Sequence, residues 1–178
     1  MELSADRQAN PIKINHVAIS VPNLEQGIKW YQNVFGFKLI GGPVDFVIDD
    51  SLAGTALKDI HGELLGKMRM AWLVSENLIG FEIIEYVEPQ AQRRQDNFEY
   101  WKSGITHFCI TDPQIEELCK KITEHGGKQR SNIWEIIPNK GYKISFCEDP
   151  FGNIIEIYSN RFEDLVTEVT KNSFDKKI

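Results

Sequence analysis

Apolar residues recur with two different periods along the chain, and each change of period marks a predicted element. Residues 12–21 are rich in β-branched side chains and predict a strand. The apolar residues of 24–35 lie three or four positions apart and predict a helix, which Asn23 caps and Gly36 ends. Shorter apolar runs predict further strands within 37–48, 68–75 and 78–87, with a long polar loop over 49–67 that holds at most a helical turn.

The same succession of elements returns after the polar segment 88–103. A strand is predicted over 104–111, and a helix follows Asp112-Pro113. Three more strands are predicted at 128–134, 142–148 and 153–159, with a loop over 135–140, and the apolar spacing after residue 160 predicts a C-terminal helix.

An internal repeat relates the two halves at an offset of 91 residues. Ile14–Ser20 aligns with Ile105–Thr111, and Gly36 aligns with Gly127 at the end of each helix. A register that matches both a strand and a helix end predicts two βαβββ modules. The predicted fold is therefore α+β, with an eight-stranded curved mixed sheet, helices on the outside and a ligand on the concave face.

These patterns predict a division of the chain into five segments. They are an N-terminal tail (1–11), the first module (12–87), a linker (88–103), the second module (104–159), and a C-terminal helix with its tail (160–178).

Composition and charge exclude several classes of partner. The 178 residues include 20 Lys and Arg against 26 Asp and Glu, a net charge of −6, which argues against non-specific nucleic-acid binding. No apolar run is long enough to span a membrane, and the N-terminus does not resemble a secretory signal. Three cysteines cannot all pair, which favours a reducing compartment. We expect a cytoplasmic protein with a small-molecule substrate.

Two histidines stand at matching positions of the repeat, which singles them out as candidate ligands. His16 and His107 lie in the first strand of each module. Glu156 lies in the last strand among isoleucines, where an unpartnered carboxylate is costly to bury and a divalent metal would be a partner.

The glutamate of the first module is ambiguous. Glu82 and Glu85 are three residues apart and must face opposite sides of a strand. Superposition of the two Ile-Ile-Glu stretches favours Glu85. A regular hairpin instead places Glu82 opposite Met70, on the face of Trp72.

The stretches INHVAISVPNLEQGIKWYQNVFGF, GITHFCITDP and EDPFGNIIEI resemble the vicinal oxygen chelate superfamily, which includes glyoxalase I, extradiol dioxygenases and bleomycin- or fosfomycin-resistance proteins. The resemblance covers residues 12–160 and is glyoxalase I-like. It implies one divalent ion per chain (Zn, Ni, Co, Mn or Fe), bound by one residue from each of four strands. Carried over, these ligands are His16, Glu82 (with Glu85 as the alternative), His107 and Glu156.

The resemblance implies an enzyme of the lyase or isomerase type, in which the metal polarises a substrate carbonyl and Glu156 or Glu82 transfers a proton. An Fe(II) extradiol-type dioxygenase using His16, His107 and Glu156 is the alternative, and a resistance-type binding protein is the second. Lys140 is expected to close over an anionic substrate, and Trp72 to line the cavity. A homodimer is expected by analogy.

Overall fold

The computed structural model describes residues 12–95 and 97–175, the last four without their side chains. The predicted tail 1–11 and the end of the C-terminal segment lie outside these residues. The first module contains β1 (His16–Ser20), α1 (Leu24–Phe35), β2 (Lys38–Val47), α2 (Leu52–His61), β3 (Lys67–Val74) and β4 (Gly80–Glu88). The second contains β5 (Phe108–Thr111), α3 (Ile115–Glu124), β6 (Lys128–Gln129), β7 (Trp134–Ile137), β8 (Tyr142–Glu148) and β9 (Ile154–Tyr158), followed by α4 (Phe162–Asp175).

The two modules have the same strand order. In the first sheet the order is β1-β4-β3-β2, and in the second it is β5-β9-β8-β6, with β7 also paired to β8. The first strand of each module is parallel to the last one. The α+β class, the paired βαβββ modules and the C-terminal helix are thus confirmed.

Instead of the single eight-stranded sheet that was predicted, the described part of the chain has one sheet of four strands and one of five, with α1 and α3 between the modules. The shared core contains apolar residues of both α1 and α3, and these helices contact each other. Trp30 and Tyr31 are adjacent in α1 and both are buried, so the apolar surface of this helix is wide enough to meet more than its own sheet. The Trp30 indole donates a hydrogen bond to the carbonyl of His125 beyond α3, at 3.0 Å. Each of these helices packs on one face of its own sheet and also contacts the other helix.

Local signals in the sequence account for the ends of α1. The Asn23 side chain accepts a hydrogen bond from the Gln26 amide at 2.9 Å, as an N-cap does. Gly36 has a φ of 71°, the left-handed conformation that ends helices and favours glycine.

The predicted loop at 49–67 contains a ten-residue helix, α2, so that prediction is wrong. The Ser51 hydroxyl caps it by accepting from the Gly54 amide. Leu57 of α2 packs with Met68 and Ile84 on the face of the first sheet opposite α1. Tertiary packing therefore stabilises a helix that the polar residues of this segment do not predict.

Three predicted boundaries in the second module also differ. β5 starts at Phe108 rather than at 104. The strand predicted at 128–134 is broken into β6 and β7, and β7 occupies part of the predicted loop at 135–140. Both short strands pair with β8, so together they fill the place that β2 fills beside β3.

Segment 88–103 is attached to the second module by polar contacts. Arg93 forms an ion pair with Glu148, whose side chain is buried, and Arg130 pairs with the same carboxylate at 3.3 Å. Asn97 donates to the carbonyl of Gly152 at 3.0 Å.

No helix in the described part of the chain is long and apolar enough to cross a membrane.

Candidate metal centre

The first candidate pair joins the edge strand β1 to its neighbour β4. Ala18 of β1 lies opposite Glu82, and His16 is two residues earlier, so both side chains project from one face of the sheet. The His16 Nε2 and Glu82 Oε2 atoms are 4.0 Å apart. This face lies opposite the one that packs on α1, because Val17, Ile19, Phe81 and Ile83 contribute to the shared core.

The second pair has the same geometry in the second module. Cys109 lies opposite Glu156, and His107 is two residues before Cys109. The His107 Nε2 and Glu156 Oε2 atoms are 3.0 Å apart, and Glu156 is only 8% exposed. Because Cys109 aligns with Ala18 in the repeat, the register makes Glu82 the equivalent of Glu156.

Glu85 lies on the opposite face of β4. It accepts hydrogen bonds from the Leu24 amide and from Arg69 Nη1, each at 3.1 Å. A carboxylate at this position stabilises the N-terminus of α1 through the helix dipole. These contacts account for a carboxylate at position 85 without any role in metal binding.

The strand register corrects one expectation about Glu82. Its partner across the β3–β4 ladder is Trp72 rather than Met70. The connection between Val74 and Gly80 includes five residues and holds Leu78 at a φ of 62°, so the pairing moves two residues from that of a regular hairpin about Glu76. A shift of two residues preserves the face, which is why Glu82 still lies beside Trp72.

Hydrogen bonds from neighbouring side chains hold three of the four candidate ligands. Trp72, expected to line the cavity, donates its indole N–H to Glu82 Oε1 at 2.7 Å. Asn15 Oδ1 lies 2.8 Å from His16 Nδ1, and Thr106 Oγ1 lies 2.8 Å from His107 Nδ1. Asn15 and Thr106 are not among the residues predicted from the sequence, although their matching positions in the repeat point to them.

Two acidic groups beside Glu156 have raised pKa values. Burial raises the pKa of the Cys109 thiol to about 12, and the charge of Glu156 adds to the effect. Burial likewise raises the pKa of Tyr158, again with a contribution from Glu156. Both groups therefore remain protonated at neutral pH and are able to donate hydrogen bonds to the carboxylate.

Both histidines line one cavity of about 1300 Å³ between the first strands of the two modules. The four candidate ligands nevertheless form two pairs. Within residues 12–95 and 97–175, no three His, Cys, Asp or Glu side chains form a group that could hold a metal ion. Each pair presents one imidazole nitrogen and carboxylate oxygens, a donor set that suits the divalent ions named above.

Lys140 lies between β7 and β8, and its side chain contacts the C-terminal helix rather than either His–Glu pair. Its Nζ atom is 3.4 Å from Glu168 Oε2 on α4. The amides of Lys140 and Gly141 both donate to Glu135 Oε1. These contacts fix the loop against the C-terminal helix.

Two paired βαβββ modules, each with a His–Glu pair on one face of its sheet, define the fold class of this chain. The sequence matches the profile of the Glyoxalase/Bleomycin resistance protein/Dioxygenase superfamily over residues 13–157, and the chain belongs to this superfamily. No curated protein sequence matches it.

Solved structures share the fold at low sequence identity. A glyoxalase family protein from Bacillus cereus has a TM-score of 0.64 and 17% identity, over 88% of this chain and 97% of its own. The fosfomycin resistance protein FosX from Mesorhizobium loti has a TM-score of 0.52 and 12% identity, over 87% and 97%. A V278E mutant of glyoxalase I from Zea mays has a TM-score of 0.56 and 20% identity, over 83% of this chain and 44% of its own.

Proposed function

We propose that the protein is a metal-dependent enzyme of the lyase or isomerase type that moves a proton next to a substrate carbonyl. The observation that carries the proposal is the repeated His–Glu pair, with its members at equivalent positions of the two modules. When bound, a divalent ion supplies Lewis-acid polarisation of the carbonyl, which makes the adjacent C–H more acidic. The proposed ligands are His16, Glu82, His107 and Glu156.

The proton is moved by one of the two glutamates. A carboxylate on the face that bears the histidines removes the proton from carbon and returns it to the neighbouring atom, or to the opposite face of the same atom. Glu156 is buried among groups that remain protonated, and Glu82 has one oxygen held by Trp72. Both are candidates for the base.

A homodimer is part of the proposal, because the two pairs lie on separate sheets. His16 lies in β1 and His107 immediately precedes β5, and each of these strands is an edge strand of its sheet. Ile14 and Ile105, two residues before the respective histidines, are 75% and 88% exposed. We propose that a second copy covers these residues and that its His107 and Glu156 complete the ligand set begun by His16 and Glu82.

The substrate is proposed to be a small molecule that reaches the metal where the histidine-bearing faces of the two copies meet. Polar and apolar groups both lie there, including His16, His107, Ile14 and Ile105. This mixture suits an organic substrate with an apolar part and one or more oxygens for a metal.

The decisive experiment measures proton exchange in the metal-loaded protein. One structure of FosX from Listeria monocytogenes is a complex with Mn(II) and sulfate, which makes Mn²⁺ a reasonable first ion to load. A panel of α-hydroxy ketones, hemithioacetals of glutathione and 2-methylacyl thioesters is incubated in D₂O and examined by NMR. We expect deuterium at the carbon next to the carbonyl for one class.

Oxygen consumption with a catechol and Fe(II), and no exchange with any panel member, would contradict the lyase or isomerase type and favour the dioxygenase. Saturable binding of a compound to protein without bound metal, with no chemical change, would favour the resistance-type binding protein.

A further inference from the structure

Each candidate histidine is hydrogen-bonded by the side chain that immediately precedes it. Asn15 contacts the Nδ1 atom of His16, and Thr106 contacts the Nδ1 atom of His107, both at 2.8 Å. Asn15 and Thr106 occupy equivalent positions of the repeat, at the same offset as the histidines. The same contact is thus made in both modules, by an asparagine in the first and by a threonine in the second.

The contact in the first module selects one form of the imidazole. The Oδ1 atom of Asn15 is only an acceptor, so the Nδ1 atom of His16 must carry the proton. In the neutral ring, the lone pair is then on Nε2, the atom that is nearest Glu82. A metal ligand must present a lone pair, and a hydrogen bond to the other ring nitrogen both selects it and orients the ring.

Thr106 is suited to two states of His107. The Nε2 atom of this ring is 3.0 Å from Glu156 Oε2, so without a metal Nε2 donates to the carboxylate and the Thr106 hydroxyl donates to Nδ1. A hydroxyl is also an acceptor, so the same contact holds Nδ1–H when Nε2 presents its lone pair.

We propose that Asn15 and Thr106 are positioning residues that direct the Nε2 atoms of His16 and His107 to a shared metal ion. This inference rests on the proposed function, because it assigns these hydrogen bonds a purpose in metal binding. Neither residue touches the metal or the substrate in this proposal. Each acts through the histidine that follows it.

The first test reads the ring tautomer without any metal. Long-range ¹H–¹⁵N NMR spectra of the metal-free, ¹⁵N-labelled protein near pH 8 distinguish protonated Nδ1 from protonated Nε2. We expect Nδ1–H at His16 in the wild type, a shift toward Nε2–H in Asn15→Ala, and a return to Nδ1–H in Asn15→Asp, which restores an acceptor. Nε2–H at His16 in the wild type, or no change in Asn15→Ala, would overturn the inference.

The second test measures the affinity for Mn²⁺ by titration calorimetry. Loss of such an outer hydrogen bond lowers metal affinity by about 10- to 100-fold. We expect losses in this range for Asn15→Ala and Thr106→Val, with affinity restored in Asn15→Asp and Thr106→Ser. Thr123→Val is the matched control, because the Thr123 hydroxyl donates to the Lys120 carbonyl within α3.

The two tests separate the inference from the function on which it rests. A wild-type protein that binds no Mn²⁺ would contradict the proposed function, while the tautomer of His16 would still decide whether Asn15 orients the ring. Tight binding by the wild type with equally tight binding by Asn15→Ala and Thr106→Val would overturn the positioning role alone. Melting temperatures of all variants identify any that fail to fold.

Discussion

The two modules repeat their candidate ligands but not what surrounds them. In the first module the His16 and Glu82 side chains are 51% and 16% exposed, and in the second the His107 and Glu156 side chains are 30% and 10% exposed. Trp72 lies opposite Glu82, whereas Phe146 lies opposite Glu156. The indole of Trp72 donates to its glutamate, and the ring of Phe146 has no donor to offer.

The connections that precede β3 and β8 also differ between the two modules. The first module carries α2 on the face that bears Glu82, and the second has a short turn at the corresponding place between β7 and β8. The strand register is thus shared, whereas the half-sites differ in the exposure of their side chains, in hydrogen bonding to the glutamate and in the presence of a covering helix. Under the proposed function, these differences predict that the two halves contribute unequally to the reaction.

The largest expected effect comes from removing a histidine, and it tests whether the halves combine across two chains. His16→Ala and His107→Ala should each lose high-affinity Mn²⁺ binding, against about one ion per chain in the wild type. If the sites form between chains, unfolding and refolding an equal mixture should restore about a quarter of the sites, because half of the dimers are mixed and each holds one intact site. Mn²⁺ titration followed by electron paramagnetic resonance counts them.

No recovery in the mixture would place all ligands of a site in one chain. A monomeric mass by light scattering at micromolar concentration would contradict the homodimer itself.

The second prediction compares the two glutamates by the same change. Glu82→Gln and Glu156→Gln each keep one amide oxygen as a weaker ligand but remove the base. Whichever glutamate moves the proton should lose activity by about 10²- to 10⁴-fold when it is substituted, and the other should lose less. Measured kcat values with the substrate identified by deuterium exchange make the comparison.

Retained activity in Glu82→Gln together with dependence on Fe(II) and O₂ would instead support the dioxygenase with His16, His107 and Glu156. Glu85→Gln is the matched control, because Glu85 lies on the other face of β4.

The third prediction concerns the residue that most distinguishes the two half-sites. Trp72→Phe keeps an aromatic ring but removes the N–H that holds Glu82 Oε1. We expect Mn²⁺ affinity to fall by about 10-fold, at the lower end of the range for such contacts. Trp30→Phe is the control, since it removes an indole hydrogen bond of 3.0 Å to a backbone carbonyl outside the site. Equal Mn²⁺ affinity in both variants would show that Trp72 only fills space.

The sequence predicted those features that depend on local pattern and on the repeat. The N-cap at Asn23, the left-handed Gly36 and the paired modules follow from side-chain chemistry at single positions and from one alignment register. The choice between Glu82 and Glu85 did not follow, because it depends on the length of the connection after Val74, which composition does not reveal. The helix α2 was missed because its stability comes from packing on Met68 and Ile84, which lie later in the chain.

The separation of the ligands into two pairs was also beyond the sequence. The repeat shows that His16 and His107 are equivalent, but equivalence does not state how far apart two modules lie. The broad apolar surface of α1 brings α3 against it and sets the arrangement of the sheets in the chain. The hydrogen bond from Trp72 to Glu82 depends in turn on the strand register.

The smallest expected effect tests whether the two modules fold as one unit. Tyr31 of the first module is fully buried and donates its hydroxyl to Asp149 of the second module at 2.7 Å. Asp149 also accepts from the amides of Phe151 and Asn153, so its carboxylate retains partners when the hydroxyl is removed. Tyr31→Phe should therefore lower the free energy of unfolding by about 1.5–3 kcal/mol, the range for a hydrogen bond to a charged group. Urea titrations of the wild type and the variant, followed by circular dichroism and by tryptophan fluorescence, measure this change.

The shared core predicts that both probes report one coincident unfolding transition, which Tyr31→Phe moves to a lower urea concentration. Two separate transitions, of which Tyr31→Phe shifts only one, would show that the modules are independent and that their contact contributes little to stability.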